Sequence, residues 1–285
     1  CQRLHGSDYD CKGRRMKSSS IKTQNNQVMP AGSRLWTPFD LGNLLIGYHS
    51  YKSFANSVDE SRPQFWHDLT GNVSLQQDTL ANRPFVRASS NIGNLPALGF
   101  GDAGTPPTVQ FMTDTSANLS DIGAGDFFVA GVIRPQTGGP FFSAYNNEVA
   151  FGLTNKTAKF KWRCGAGANE ITETNAATLN TPTIFYATRS SETVEIYRDG
   201  VFKMMAGAAD TESLDNNNTV SLGASLGPYC RCQVSEIIYG GGAEGSLDRN
   251  SGTIRKLIEG YLAHRCNVAS LLVGDHPYRY GPPRK

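Results

Sequence analysis

Between Pro106 and Gly240 the chain repeats one pattern: a short apolar run, a cluster of turn residues, then another short apolar run. The runs read TVQFM at 108–112, DFFVAGVIR at 126–134, PFFSAY at 140–145, VAFGLTN at 149–155 and AKFKWRC at 158–164. They continue as TIFYATRS at 183–190, VEIYRDGVFKMM at 194–205, TVSLGA at 219–224 and QVSEIIYG at 233–240. Strands repeating at a spacing of roughly a dozen residues build a β-sandwich or barrel, not alternating β and α units. The 30 glycines and 14 prolines supply the turns this requires. One hairpin is explicit. Asp199-Gly200 provides the positive φ angles of a two-residue turn. Alternation in the strand before it puts Val194 and Ile196 on one face, Glu195 and Tyr197 on the other.

The two ends differ from this middle. LGNLLIGYHSYKSF supplies a first core strand, and QFWHDLTGNVSLQQ carries Phe65 and Trp66 ahead of a Thr-Gly-Asn turn. Near the end, Leu247, Ile254, Leu257, Ile258, Tyr261 and Leu262 recur at helical steps. This predicts one amphipathic helix over about 251–265, capped by Asp248 or Ser251 and stopped at Asn267. His264 and Arg265 suit the negative end of its dipole. A single helix closing a sandwich is expected across a sheet edge or open end, where it protects unpaired strands. The tail 267–285 is expected to be extended, because residues before proline avoid the helical region.

Charge and cysteine bound the rest. Net charge is +2, so no global field favours nucleic acid or membrane. No apolar run approaches the roughly 20 residues of a membrane span, and the first residues form no secretion signal. The charge is unevenly spread. Residues 1–30 hold six Lys/Arg against Asp8 and Asp10, which puts +4 there and −2 on the remainder. We read 1–34 as a basic polar arm and 35–285 as the globular domain. Arg14, Arg15, Lys17 and Lys22 are the candidate partner contacts, since a basic arm orders on an acidic surface. Cys1 fits a lipidated mature start, and Met16 is an alternative natural start. The six cysteines are too sparse for a disulfide framework. Cys230 and Cys232 project from one face of a strand. With Cys164 and Cys266 they make a four-thiolate alternative to the preferred reading of buried free thiols.

The closing segment reads Glu236-Ile237-Ile238-Tyr239, then Ile258-Glu259-Gly260-Tyr261-Leu262-Ala263, then His276-Pro277-Tyr278 and Pro282-Pro283. This resembles the end of concanavalin A-like (LamG-like) jelly-roll domains of phage and prophage structural proteins. LWTPFDLGNLLIGYHSYKS, QFWHDLTGN and LPALGFGD resemble that family's opening motifs, so the similarity brackets about residues 35–283. Two departures stand out. Tyr48 replaces a Trp, with His49-Ser50 in place of an Asp-Ala pair, and Leu69-Thr70 replaces a Lys-Ser-like pair. The resemblance implies an all-β antiparallel β-sandwich and a place on a virus particle. It implies no single activity, because one fold serves many functions.

Glycoside hydrolysis needs two carboxylates about 5–9 Å apart. The nearest pairs, Glu170 with Glu173 and Glu192 with Glu195, read as solvated surface groups. Cys266 and His264 sit two apart on the helix and point in different directions. His67 and His276 read as packing and hydrogen-bonding residues. Calcium has two loops to consider, Asp114, Asp121 and Asp126, or Asp210, Asp215 and Asn216–Asn218, and neither has EF-hand spacing. Tyr145-Asn146-Asn147 and Tyr229 are loop aromatics of the kind that hold sugars. GGGAEG at 240–245 opens no helix directly and reads as a connector, not a phosphate cradle.

The expectation is therefore a non-enzymatic virion structural protein without a cofactor, of capsid decoration, cement or head-fibre type. It would dock through its arm on major capsid or tail proteins at the particle surface, as a homo-oligomer made in the bacterial host cytoplasm. The alternative is a carbohydrate-binding tail fibre or spike module with a glycan partner. An endoglycosidase is the third possibility.

Overall fold

The computed structural model describes residues 34–42, 44–101, 110–119, 125–144, 149–153, 159–164, 170–173, 176–190, 193–206, 219–223, 231–241 and 252–285. The chain divides into two units, Cys1–Arg34 and Leu35–Lys285. Arg14, Arg15, Lys17 and Lys22 lie outside the described residues. In chain order the strands are β1 (Leu44–His49), β2 (Phe65–His67), β3 (Ser74–Gln76), β4 (Phe85–Arg87), β5 (Ala97–Phe100), β6 (Met112–Asp114), β7 (Phe127–Pro135) and β8 (Gly139–Ala144). There follow β9 (Val149–Leu153), β10 (Phe160–Cys164), β11 (Glu170–Thr172), β12 (Thr183–Ser190), β13 (Thr193–Arg198), β14 (Val201–Ala206), β15 (Val220–Leu222) and β16 (Cys232–Gly241). Helix α1 spans Ser50–Phe54 and α2 spans Thr253–Arg265.

Every ladder is antiparallel, and the strands form two sheets, as the spacing of the apolar runs requires. The first runs β14-β13-β12-β7-β16-β5-β4, with β1 also on β16. The second runs β11-β10-β9-β8-β15-β6-β3-β2. Strand β16 organises the first sheet. One edge pairs with β7 from Cys232↔Pro135 to Gly241↔Phe127. Its other edge is shared, with β5 on Cys232–Val234 and β1 on Glu236–Gly240. A register shift between Val234 and Glu236 lies near this change of partner, as a β-bulge does when it re-aims a strand. At the predicted hairpin Asp199 has φ 55° and Gly200 φ 81°.

The space between the sheets is filled largely by rings. Phe151 stacks on Phe185 at 4.5 Å, Phe127 on Trp162 at 5.4 Å, and Phe141 meets Phe151 edge-on at 5.5 Å. All are buried, and each buried side chain of this size contributes about 1.5–3 kcal/mol by leaving water.

Helix α2 does not lie where the sequence reading put it. Instead of crossing an edge or open end, it lies on the outer face of the first sheet, against β12 and β7. Ile258, Leu262, Ala263 and Cys266 form one buried cluster with Phe128, Ala130, Val132, Ile184, Tyr186 and Ile238. The reason is in the strands. β7, β12 and β16 are buried on both faces; their outward side chains include Phe128, Ala130, Val132, Ile184, Tyr186 and Ile238, and an uncovered face would leave these in water. The architecture is thus a sandwich with a third, helical layer. The caps proposed at Asp248 and Ser251 lie outside the described residues. The helix starts after Gly252, which has φ 60° and accepts from the Lys256 amide at 3.0 Å. It ends at Arg265, and Asn267, the expected stop, takes φ 56° just beyond the Cys266 cap.

The tail is less extended than predicted. It makes a 3-10 turn at Ala269–Leu271 and further turns up to Pro282. It then closes on the domain's entry: Leu35 bridges Arg284, and the Trp36 amide donates to the Pro283 carbonyl at 3.1 Å. Gly260 is needed for this closure, because a Cβ there would stand 2.5 Å from the Tyr278 Cβ.

Helix propensity alone would make Gly260→Ala stabilising by about 1 kcal/mol. Overpacking against Tyr278 reverses the sign, and we expect a loss of about 1–3 kcal/mol in urea unfolding. Gly274→Ala, where a Cβ meets nothing within 4 Å, is the control and should be near neutral.

Candidate functional site

The hairpin β2–β3 at the end of the second sheet presents the most ligand-like surface. Trp66 and Leu75 point into the core, 1% and 0% exposed. Strand alternation then sends Phe65, His67, Ser74 and Gln76 outward. Phe65 lies opposite Gln76, His67 opposite Ser74, and Gln76 opposite Thr113 on β6. The Phe65 ring is 42% exposed and stacks on His67, with centroids 5.8 Å apart and an 8° interplanar angle.

The hairpin is held from beneath. The Trp66 indole N–H donates to the Ser53 Oγ at 3.2 Å, and its ring packs on Tyr48 at 4.9 Å and on Phe54 at 5.8 Å. The turn is held by the Asp68 carboxylate, which accepts from the amides of Thr70, Gly71 and Val73 and from the Thr70 hydroxyl. Gly71 takes φ 83° there.

Around the ring pair lie fixed polar groups. Asp78 Oδ1 accepts from Gln64 Nε2 at 2.9 Å and Gln76 Nε2 at 2.5 Å. The Gln76 bond, then the Gln64 bond, holds its carboxyl below the usual carboxylate range. Asp114 accepts from the Ser74 amide at 2.8 Å and from the Ser116 amide at 2.8 Å. The Thr113 hydroxyl bonds the Val220 carbonyl and lies 3.1 Å from the Ser221 hydroxyl. A depression of about 590 Å³ is lined by Ser74 and Gln76, which pair with His67 and Phe65 across the hairpin, and by Asp78, Thr113, Asp114 and Ser116 among others. An exposed ring face beside preset donors and acceptors suits a polyhydroxylated ring. The ring's C–H face stacks on the aromatic and its hydroxyls bond the amide and carboxylate groups.

Other polar groups are buried and serve the fold. Under α2, Glu236 is pushed up to about 8 by burial, and His49, 3.8 Å away, is lowered to about 3 by burial and then by Arg265 and Lys52. Both are therefore held neutral. Burial raises the Tyr261 and Cys266 groups, and Glu236 raises them further once it ionises above about 8. Glu259 pairs with Arg255 at 2.6 Å and lies 3.2 Å from His276 Nε2. Burial raises Glu173, which bonds Arg198 at 3.0 Å and the Phe160 amide at 3.0 Å. The helix signature read from the sequence is thus a set of internal contacts.

The sequence-derived candidates separate accordingly. Cys232 lies between the sheets and Cys266 under α2, both buried free thiols, so these two do not meet as thiolate ligands. Glu173 is buried, which corrects its reading as a solvated surface group, while Glu195 bonds the Tyr197 hydroxyl at 3.0 Å. His276 is buried, as expected. His67 keeps the packing and hydrogen-bonding role read from the sequence, its Nδ1 lying 2.8 Å from the Ser74 Oγ and its ring stacking on Phe65, but it does so on the exposed face of β2. The His264 Nε2 faces the Tyr278 carbonyl at 2.6 Å, away from the buried Cys266. Asp126 is buried near Ser190, apart from the bonds that occupy Asp114. Among the described residues no three His, Cys, Asp or Glu side chains converge as metal ligands, and no helix there is long and apolar enough to cross a membrane. Asp121, Asp210, Asp215, Asn216–Asn218, Tyr145–Asn147, Tyr229, Cys230 and Glu192 lie outside the described residues. The Phe65 face was legible in the alternation F-W-H before the turn, and sequence reasoning missed it because it did not ask which face His67 shares with Phe65.

No protein-family model matches the chain, and no curated protein does. Solved structures do. A botulinum neurotoxin type C structure, on cell entry dependent upon interaction with two ganglioside molecules, is similar at TM-score 0.53 and 10% identity over 78% of this chain and 52% of that one. The binding domain of Paraclostridial Mosquitocidal Protein 1 is similar at TM-score 0.51 and 12% identity, over 72% of this chain and 50% of that one. The chain thus spans about half the length of each. A sialidase of Trypanosoma rangeli with sialic acid reaches TM-score 0.49 at 15% identity, over 84% of this chain and 35% of its own, too loose to carry an argument. The first two likenesses show the β-sandwich fold. They bear on fold alone, and none of the comparisons points to phage origin.

The neutral state of Glu236 sets a pH dependence. Its folded value of about 8 lies above the ordinary 4.5. Its contribution is therefore complete below about 4.5 and is lost as pH rises through 8. Glu236→Gln should remove this decline, narrowing the difference in unfolding free energy between pH 5 and pH 8 by at least about 1 kcal/mol, measured by urea unfolding.

Proposed function

We propose that the domain is a non-enzymatic carbohydrate-binding module, and that the Phe65–His67 face takes the saccharide. One observation carries this reading: a large aromatic ring, 42% exposed, stacked parallel to its neighbour beside an amide and carboxylate already oriented by hydrogen bonds. Rings held in this way lose little freedom on binding, so more of their contact energy appears as affinity. The groove carries amides, hydroxyls and two carboxylates and is shallow, which suits a neutral oligosaccharide lying along β3 and β6.

Further support is indirect. Botulinum neurotoxin type C depends on two ganglioside molecules for cell entry, and the mosquitocidal chain is a binding domain. Each shares its fold with this chain over about half its own length, and the reading for this chain rests on its own face. The absence of enzymatic activity is part of the proposal. The carboxylates raised in pKa, Glu173, Asp199 and Glu236, have burial as the largest cause and bond groups of their own domain. A general acid must instead reach a substrate.

Docking on a phage particle, the first expectation from the sequence, rests on the resemblance and on Arg14, Arg15, Lys17 and Lys22. No structural observation favours it over the alternative, so the glycan-binding reading takes precedence. A glycan array should identify neutral oligosaccharides that bind. Phe65→Ala or Gln76→Ala should weaken the best of them at least about ten-fold, which is about 1.4 kcal/mol. Phe65→Ala, at an exposed position, should change stability by less than about 0.5 kcal/mol. An array without a hit, or a hit indifferent to Phe65→Ala, would remove the proposal.

A further inference from the structure

The groove on β3 and β6 is one-sided in its hydrogen bonding, because its donors are largely spent within the domain. The Ser116 hydroxyl donates to Asp114 Oδ1 at 3.1 Å, and the Thr113 hydroxyl to the Val220 carbonyl at 3.1 Å. Gln77 Nε2 donates to the Phe111 carbonyl at 3.3 Å. Gln64 and Gln76 both turn Nε2 to Asp78 Oδ1, at 2.9 Å and 2.5 Å. A carboxylate only accepts, so neither amide can be reversed without losing its bond, and each Oε1 is directed away from Asp78.

What remains is mainly acceptors. Gln76 Oε1 and Asp78 Oδ2 bond no described residue. Asp114 keeps lone pairs beyond those that take the Ser74 and Ser116 amides and the Ser116 hydroxyl. The described lining residues include these two carboxylates and no Lys or Arg. Arg83, behind the groove, spends Nε on the Gln77 carbonyl at 2.8 Å and Nη2 on the Asp78 carbonyl at 3.0 Å. It acts on the Asp78 carboxyl less than either amide does. The groove thus asks its ligand for donors, and beside it Phe65 offers an exposed ring face.

From this imbalance we infer that the groove selects an amino sugar, a saccharide whose ammonium group meets Asp78 and Gln76 while its ring lies on Phe65. An ammonium brings three donors and no acceptor, whereas each hydroxyl brings acceptors along with its donor. Its bonds to a carboxylate are charge-assisted and roughly twice as strong as neutral ones. A neutral chain of the same skeleton still stacks on the ring and binds more weakly. The inference rests on the reading of this face as a saccharide site and adds the class of sugar that it prefers.

The test is calorimetric titration of the full chain at pH 5 with the β-1,4 tetramer of glucosamine, its N-acetylated form and cellotetraose, which differ only in the group at C2. At that pH the amines are protonated, and Asp78, held below the usual carboxylate range, is ionised. The glucosamine tetramer should bind at least about ten-fold more tightly than the other two, and high salt should shrink the difference. Asp78→Asn should cut that difference about five-fold, as loss of an exposed ion pair does at most. Glu60→Gln, at an exposed carboxylate outside the groove, should leave it unchanged. Either neutral tetramer binding as tightly as the glucosamine tetramer overturns the inference, as does a glucosamine tetramer that fails to bind or a preference indifferent to Asp78→Asn. Cellotetraose binding that Phe65→Ala weakens, with no gain from the amine, leaves the neutral-saccharide reading standing alone. An amine preference that Asp78→Asn removes but with all binding indifferent to Phe65→Ala would instead sink the reading of the Phe65 face.

Discussion

The structure depends on a sheet that is apolar on both sides. In β7, Phe127 and Val129 face the second sheet, while Phe128, Ala130 and Val132 face outward. One covering layer cannot bury both sets. The second sheet covers the inner face, and α2 with its tail covers the outer. Removing either would put several aromatic and branched side chains into water, at a cost of about 1.5–3 kcal/mol each. The position of α2, the closure of the tail on Trp36 and the buried acids beneath the helix all follow from that requirement.

The helical layer carries polar groups into the interior, and the fold satisfies them in two ways. Glu259 is ion-paired to Arg255 and meets His276, while Glu236 and His49 are kept neutral. Breaking a buried pair leaves an uncompensated charge, whereas a neutral group needs only hydrogen bonds. The tail is joined to the helix at the same points: His276 at Glu259, the Tyr278 carbonyl at His264, and the Tyr278 ring at Gly260. The outer face of the first sheet is thereby occupied, and at β2–β3–β6 the second sheet presents an exposed ring and groove to solvent.

Much of this was legible in the sequence. Apolar runs between turn residues located strands β7 to β10 and β12 to β16, and Asp199-Gly200 located its turn, because these signals are local. The helix was legible for the same reason, though its position was not. A near-continuous apolar run such as DFFVAGVI marks burial on both faces, and that clue pointed to a face rather than an edge. The candidate site was less legible. Phe65 and His67 belong to a three-residue strand, and their exposure is decided by Trp66 and Leu75 packing inward. Gln76, Asp78, Thr113 and Asp114 come together only through pairing of β3 with β6, a contact between residues far apart in the chain.

The central claim is that the first sheet's outer face is closed by α2 and that recognition belongs to the second sheet's face at β2–β3–β6. Amide hydrogen exchange, compared with and without the strongest-binding neutral oligosaccharide, tests it most directly. The account predicts added protection confined to 64–78 and 111–116, with 253–265 unchanged. Protection appearing along α2 or the tail, with none in the β2–β3 hairpin, would contradict it.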